Sequence, residues 1–284
     1  GFLGSWLTIA LVKAGASVVG LISDEVPFSE LRRSGYQDRI ALVHGSVTDY
    51  KLVERALNEY EIDTVFHLAA QTIVTIANRA PLSTFETNVG GTWALLEAAR
   101  RSPKIKRVVV ASSDKAYGVH QKLPYTEEDA LLGCHPYDVS KACADLIARA
   151  YTVTYGLPVG VTRCANLYGG GDLNWSRIVP GTMRSLIRGE RPIIRSDGTL
   201  VRDYLYVQDA VCAYLTLAEQ LERPEVQGQG FNFGMDDPQS VSAIVQAMIA
   251  VSDHPEIEPI VQGNAPNEIP EQYLASSRAK QVLG

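Results

Sequence analysis

Five side chains in one region of the sequence could carry acid–base chemistry. Ser113, Asp114 and Lys115 sit in S-S-D-K-A-Y-G, directly after the apolar run R-V-V-V-A. Tyr137 and Lys141 lie in P-Y-D-V-S-K, and Tyr137 comes 24 residues after Ser113. Charges at the end of a buried strand are costly unless they are paired, solvated by a ligand or used in chemistry. Asp114 can give a proton, and Lys115 can take one when burial holds it neutral. A spacing of four places Tyr137 and Lys141 on one helical face. There the Lys141 ammonium is expected to favour the phenolate, and a shift of ~3 pK units would need ~4 kcal/mol. Such a tyrosine can act as a general base near neutral pH. Tyr-x-x-x-Lys alone also describes an exposed helix pair, and Asp-Lys alone an ion pair capping a strand. Ser, Tyr and Lys in this order are more specific.

These residues need a frame, and the apolar periodicity supplies one. Leu3 to Ala14 reads as a helix stopped by Gly15, followed by the strand A-S-V-V-G-L-I-S, closed by Asp24. R-I-A-L-V-H-G is a second strand and 49–60 a helix with Leu52, Val53, Ala56, Leu57 and Tyr60 on one face. D-T-V-F-H-L-A-A and R-V-V-V-A-S-S are two more strands, separated by one helix over 84–101. A helix over 138–155 leads to L-P-V-G-V-T-R-C-A-N-L-Y-G as a single fifth strand. This alternation predicts an α/β fold, a Rossmann-type doubly wound parallel sheet covered on both faces. Ligands then bind beyond the carboxyl ends of the strands, where Asp24, Gln71, Ser113, Asp114, Lys115 and Asn166 fall. Residues 1–167 are expected to form this domain. Residues 168–284 read mainly as a smaller α/β substrate-binding lobe, with helices over 207–221 and 241–251 and some segments returning to the first domain.

The chain has 284 residues, 46% hydrophobic and 20% charged, enough for one or two domains with a sizeable core. A net charge of −6 argues against a nucleic-acid binder that relies on bulk positive charge. No apolar run approaches the roughly 20 residues of a membrane span, and no signal peptide precedes the fold, so a cytoplasmic protein is expected. Cys134, Cys143, Cys164 and Cys212 show no pairing or ligand spacing and are expected to be buried, reduced thiols. The five histidines are scattered, so no metal site is expected. The chain opens on G-F-L-G with no strand before it and stops at V-L-G, which reads as a fragment lacking its first strand.

Gly1 and Gly4 open a helix, with Asp24 twenty residues beyond Gly4. That is either a tight turn or the tail of a dinucleotide fingerprint, in which glycines admit a pyrophosphate and the acid holds a ribose. With G-F-L-G-S-W-L, F-H-L-A-A-Q, F-E-T-N-V-G-G-T, V-A-S-S-D-K-A-Y-G, P-Y-D-V-S-K, R-C-A-N-L-Y-G-G-G-D and V-R-D-Y-L-Y-V-Q-D in this order, the chain resembles the extended short-chain dehydrogenase/reductase family, specifically its nucleotide-sugar epimerases and dehydratases.

The resemblance implies NAD as cofactor and a nucleotide-diphosphate hexose as substrate. Gly1, Gly4 and Asp24 would hold the pyrophosphate and ribose. Leu68, Ala69 and Ala70 would leave room for the dinucleotide, with Asn88 and Ser112 beside it. Ser46 departs from the acidic residue that many relatives place near the adenine. Tyr137 would be the base, Lys141 would bind the nicotinamide ribose, and Ser113 would hydrogen-bond the sugar hydroxyl being oxidised. Gln71, Asn166, Arg177 and Arg202 would contact the substrate. Ile194, with Ile193, would flank the nucleobase or belong to the core.

In this family oxidation at C4 comes first. A 4-epimerase then only turns the ketose over. A 4,6-dehydratase must also remove the C5 proton and expel the C6 hydroxyl, which would assign Lys115 as base and Asp114 as acid. The Asp-Lys pair resembles the CDP-glucose 4,6-dehydratase group and some UDP-N-acetylhexosamine dehydratases. The sequence therefore predicts a 4,6-dehydratase, with a 4-epimerase or a non-catalytic NAD-binding protein as alternatives. Apolar stripes on 84–101 and 138–155 would form a four-helix homodimer contact, alone or within a dimer of dimers.

Overall fold

A computed structural model describes residues 1–264 and 268–284. Helix α1 (Phe2–Lys13) leads into β1 (Val19–Ile22), and the short α2 (Glu30–Arg33) precedes β2 (Ala41–His44). Asp49 caps α3 (Tyr50–Glu59) by accepting from the Leu52 amide at 3.1 Å, and β3 (Thr64–His67) follows. The single helix expected over 84–101 is interrupted. After α4 (Val74–Arg79), which the pattern did not reveal, come α5 (Pro81–Phe85), a π turn over Glu86–Gly90, and α6 (Gly91–Arg101). The π turn holds Asn88, whose side chain is bonded to two other segments, and helices commonly widen at such functional positions.

Strand β4 (Arg107–Ala111) ends at the Asp114–Tyr117 turn, a single 3₁₀ turn. Helix α7 (Pro136–Tyr155) has Pro136 in its first turn and left-handed Gly156 as its stop. The run read as one fifth strand is two: β5 (Val159–Cys164) and β6 (Asn166–Tyr168). The Ala165 amide bonds Phe233 and the Asn166 amide bonds Asp203, so the chain changes sheets between them.

The remainder comprises α8 (Ile178–Ile187), β7 (Ile193–Ile194), β8 (Val201–Arg202), β9 (Tyr204–Tyr206) and α9 (Val207–Gln220). Then come β10 (Gly230–Phe233), β11 (Gln239–Ser240), α10 (Val241–Ala250), β12 (Ile260–Val261), β13 (Glu271–Gln272) and α11 (Ser277–Leu283). Helix α8 went unread because Pro180 and Gly181 interrupt its pattern.

The central sheet has the order β10-β5-β4-β3, all parallel, while β1 and β2 form a separate parallel pair. Val108, Val109 and Val110 are fully buried in β4. Alternation along the strand sends Val109 to a core with Leu7, Tyr214, Leu217 and Phe231, and Val108 and Val110 to one with Val53, Leu96 and Ala148. Each such valine contributes about 1.5–3 kcal/mol of burial. Sheet coverage on both faces follows, and the ends of β3, β4 and β5 are left to carry polar residues. A third core, with Leu186, Ile194, Val241, Val245 and Ile249, lies between α8 and α10. Of the four cysteines only Cys164 is buried. Cys134 and Cys212 are exposed, on a loop and on the outer face of α9, which corrects the expectation of four buried thiols.

Candidate active site

Ser113 leaves β4 in an extended conformation and starts the turn that carries Asp114 and Lys115. Its Oγ donates to Asp114 Oδ1 at 2.9 Å and accepts from the Lys115 amide at 3.2 Å. The turn closes at Gly118, with φ of 70°, where a Cβ would stand 2.3 Å from the Leu132 carbonyl oxygen. Only glycine fits such a close approach in the left-handed region. Asp114 is 4% exposed. Burial raises its carboxyl pKa above the usual range, opposed by Lys115, the Ser113 hydrogen bond and Arg202. It therefore holds a proton to higher pH than a free aspartate does, as a proton donor requires.

The first turn of α7 brings in Tyr137, and one turn later Lys141. The Tyr137 phenol is buried, and burial pushes it up to about 12, with a Ser113 hydrogen bond pulling it down and Asp114 pushing it further up. This corrects the expectation that Lys141 depresses it. Lys141 Nζ lies 6.0 Å from the Tyr137 ring centroid and donates to the Ala111 carbonyl at 2.8 Å, so a strand-end carbonyl holds the charge. Burial lowers Lys141 itself to about 8. Ser112 Oγ donates to the Lys141 carbonyl at 3.2 Å, fixing α7 against β4.

On the cofactor side, α1 starts at Gly1 with no side-chain cap. A Cβ on Gly1 would meet nothing within 4 Å, and one on Gly4 only Leu68 Cδ1 at 3.7 Å. The first turn of α1 carries no side-chain cap, and small Gly4 leaves its approach clear, which suits a pyrophosphate seat. Asp24 is exposed just past the end of β1, bonded by Ser23 Oγ at 2.9 Å. Ala69 is exposed and Ala70 half-buried beyond β3. Asn88 is buried and ties three segments: it accepts from the Gln71 amide at 2.7 Å and donates to the Gln71 carbonyl and to Ser140 Oγ. Gln71 in turn accepts from the Ile73 amide.

On the substrate side, Asn166 in β6 lies opposite Tyr204 in β9. Arg177 donates to Asp172 Oδ2 at 2.7 Å and to the Leu167 carbonyl. Arg202 is buried, donating to the Val201 and Pro270 carbonyls and to Glu268 at 3.1 Å. It acts electrostatically on Asp114, so it belongs with the Asp114 turn. Ile194 is fully buried in the third core, so its side chain packs the lobe and does not flank a base, whereas Ile193 is half exposed.

Three residues near the site went unread. Asp138, beside Tyr137, is a buried carboxyl raised by burial and lowered by Lys115. His67 bonds Thr92 Oγ1 at 2.9 Å, and burial lowers it to about 3. Gln272 approaches Lys115 from β13. Asp138 was adjacent to a recognised motif; Gln272, 157 residues from Lys115, carried no local signal.

A family model described as the NAD dependent epimerase/dehydratase family matches residues 1–234. The chain belongs to this family. Its relatives include CDP-glucose 4,6-dehydratase from Salmonella typhimurium, 30% identical over 298 residues, covering all of this chain and 83% of the relative. Among solved structures, UDP-glucose 4-epimerase from Thermotoga maritima superposes with a TM-score of 0.87 at 28% identity, covering 100% of this chain and 90% of that one. The dTDP-glucose 4,6-dehydratase of Streptomyces venezuelae, solved with NAD, gives 0.85 at 27% identity, covering 100% and 88%. The protein is thus an NAD-dependent enzyme with a Rossmann-type fold, and its relatives act on nucleotide sugars. The space beside Gly4 and the Lys141 ammonium, with one of its three donors used, fit NAD. Among the described residues no helix is long and apolar enough to cross a membrane.

Proposed function

We propose that this epimerase/dehydratase family member is a nucleotide-sugar 4,6-dehydratase, with CDP-glucose as its favoured substrate. The observation that carries the reading is Asp114, a buried carboxyl with a raised pKa, beside Lys115 and bridged by Ser113 toward Tyr137. A 4-epimerase has no use for a second acid and base at that strand end.

Tyr137 would take the proton of the sugar 4-hydroxyl, which Ser113 also contacts, as a phenolate, a state that the positively charged nicotinamide ring of bound NAD would favour against the burial that raises it. NAD, held by Gly1, Gly4, Asp24 and Lys141, would supply the acceptor for the C4 hydride and the source of its return to C6. The new ketone acidifies the C5 proton, which Lys115 removes. The C6–O bond breaks as Asp114 protonates the departing hydroxyl to water, and Lys115 then returns its proton to C5. One proton is left on Tyr137 and one is missing from Asp114. Ser113, 2.9 Å from Asp114, is the bridge through which it returns. Protonated Asp114 also removes one charge that raises Tyr137, so the starting states of acid and base support each other. Asn166, Arg177 and Arg202 would hold the diphosphate and sugar, with arginine suited to bidentate phosphate contact. Leu82, Trp93, Leu146 and Val153 are exposed on α5, α6 and α7 and would pair two copies of a cytoplasmic homodimer.

The test is product analysis after incubation with CDP-, dTDP- and UDP-glucose. A product lighter by one water with a 6-methyl signal is expected, and a product of unchanged mass with inverted C4 would favour the 4-epimerase. Asp114→Asn should slow water loss by about 10²–10⁴ while C4 oxidation persists. Full turnover by that variant would contradict the role of Asp114.

A further inference from the structure

Gln272 is fully buried, yet its amide ties nothing in the fold together. Its Oε1 meets Lys115 Nζ at 3.5 Å, and its Nε2 has no partner among the described residues. The strand that carries it is held by bonds that do not involve its amide. The Val201 amide bonds the Pro270 carbonyl at 2.9 Å, and Tyr125 bonds Tyr273 and Ala275 at 3.0 and 2.8 Å on the other side. Gln272 lies in register with Arg202 across the β13–β8 pair. An unpaired buried amide costs free energy that an apolar residue of the same shape would not. A structural glutamine would be bonded; this one is aimed at the candidate C5 base.

We propose that Gln272 is a positioning residue for Lys115, whose amide oxygen orients the Lys115 amine so that its lone pair faces the C5 proton. The inference rests on the dehydratase reading. A neutral amine has two N–H donors and one lone pair. Accepting one N–H fixes rotation about the terminal carbon–nitrogen bond and leaves the lone pair for the substrate. A neutral amide does this without adding charge. That matters because Lys115 already faces Asp114 on its own turn and Asp138 on α7, with Arg202 of β8 and its partner Glu268 close by. A carboxylate at the Gln272 position would instead hold Lys115 protonated, with no lone pair to offer.

The experiment compares the parent enzyme with Gln272→Met and Gln272→Glu. It measures the reduced-nicotinamide absorbance that reports C4 oxidation, water loss across a pH range, and the melting temperature. Gln272→Met should melt at or above the parent temperature and oxidise C4 at the parent rate. Its water loss should slow about tenfold or more, since an oriented base is worth about 10²–10⁴. Gln272→Glu should move the acid limb of water loss upward by about one pH unit or more, because an opposite charge favours the ammonium. Parent-like water loss in Gln272→Met, or an unshifted acid limb in Gln272→Glu, overturns the inference while leaving the dehydratase reading intact. A parent enzyme that inverts C4 without losing water overturns that reading, and the inference with it.

Discussion

Burial sets the charge states of the candidate catalytic residues in opposite senses. It holds a proton on Asp114 and on Tyr137, and it loosens one from Lys141. For Lys141 the effect can be read as stability. Its pKa falls from 10.5 to about 8 in the folded chain. Below about pH 8 the lysine is charged in both states, and the folded state bears the full cost of burying it, about 3 kcal/mol. Between about 8 and 10.5 the unfolded chain binds more protons, so stability rises with pH and the cost disappears. Lys141→Met should therefore raise the urea midpoint at neutral pH and lose that advantage by about pH 10.5, while abolishing turnover. Parallel unfolding curves for parent and variant across this range would contradict the account. The sequence showed which residue types stood at 137 and 141. It did not show that Lys141 would reach the Ala111 carbonyl, because that bond depends on how α7 packs against β4.

The Asp114–Tyr117 turn is the element on which the proposed elimination depends. It is laced to a second loop by Leu132 and Gly133 amides bonded to the Tyr117 and Ala116 carbonyls. The Tyr117 hydroxyl donates to Asn232 and accepts from Arg163, which is itself paired with Asp145 of α7 at 2.8 Å. One buried network thus joins the turn bearing Asp114 to the helix bearing Tyr137. Gly118→Ala forces a Cβ onto the Leu132 carbonyl at a positive φ, and strain of about 1–3 kcal/mol is expected. Water loss should fall further than C4 oxidation, since Tyr137 and Lys141 stand on a separate helix. Stopped-flow absorbance against product formation separates the two rates, and equal losses would show that the turn does not act selectively. Alternating apolar runs made β1 to β5, α1, α3 and α7 legible. The break in 84–101 was not, because the pinned side chain of Asn88 acts over 17 and 52 residues of sequence.

At the scale of the molecule, the two sides of the site differ in how the chain builds them. The candidate cofactor side comes from the start of α1 and from consecutive strand ends, so motif order alone was enough to propose Gly1, Gly4, Asp24, Ala69 and Ser112 there. The substrate side is assembled from β6 with β9 and from β8 with β13, pairings that bring distant two- and three-residue strands together. Such short strands carry no periodicity, which is why Gln272 went unseen and Ile194 was left open between nucleobase and core. The central claim concerns what the assembled site does after C4 oxidation. It is tested most directly with CDP-glucose carrying deuterium at C4, followed by NMR of the product. The account predicts that the deuterium appears in the C6 methyl group, carried there within one active site. Deuterium remaining at C4 with inverted configuration would contradict it and make the enzyme a 4-epimerase.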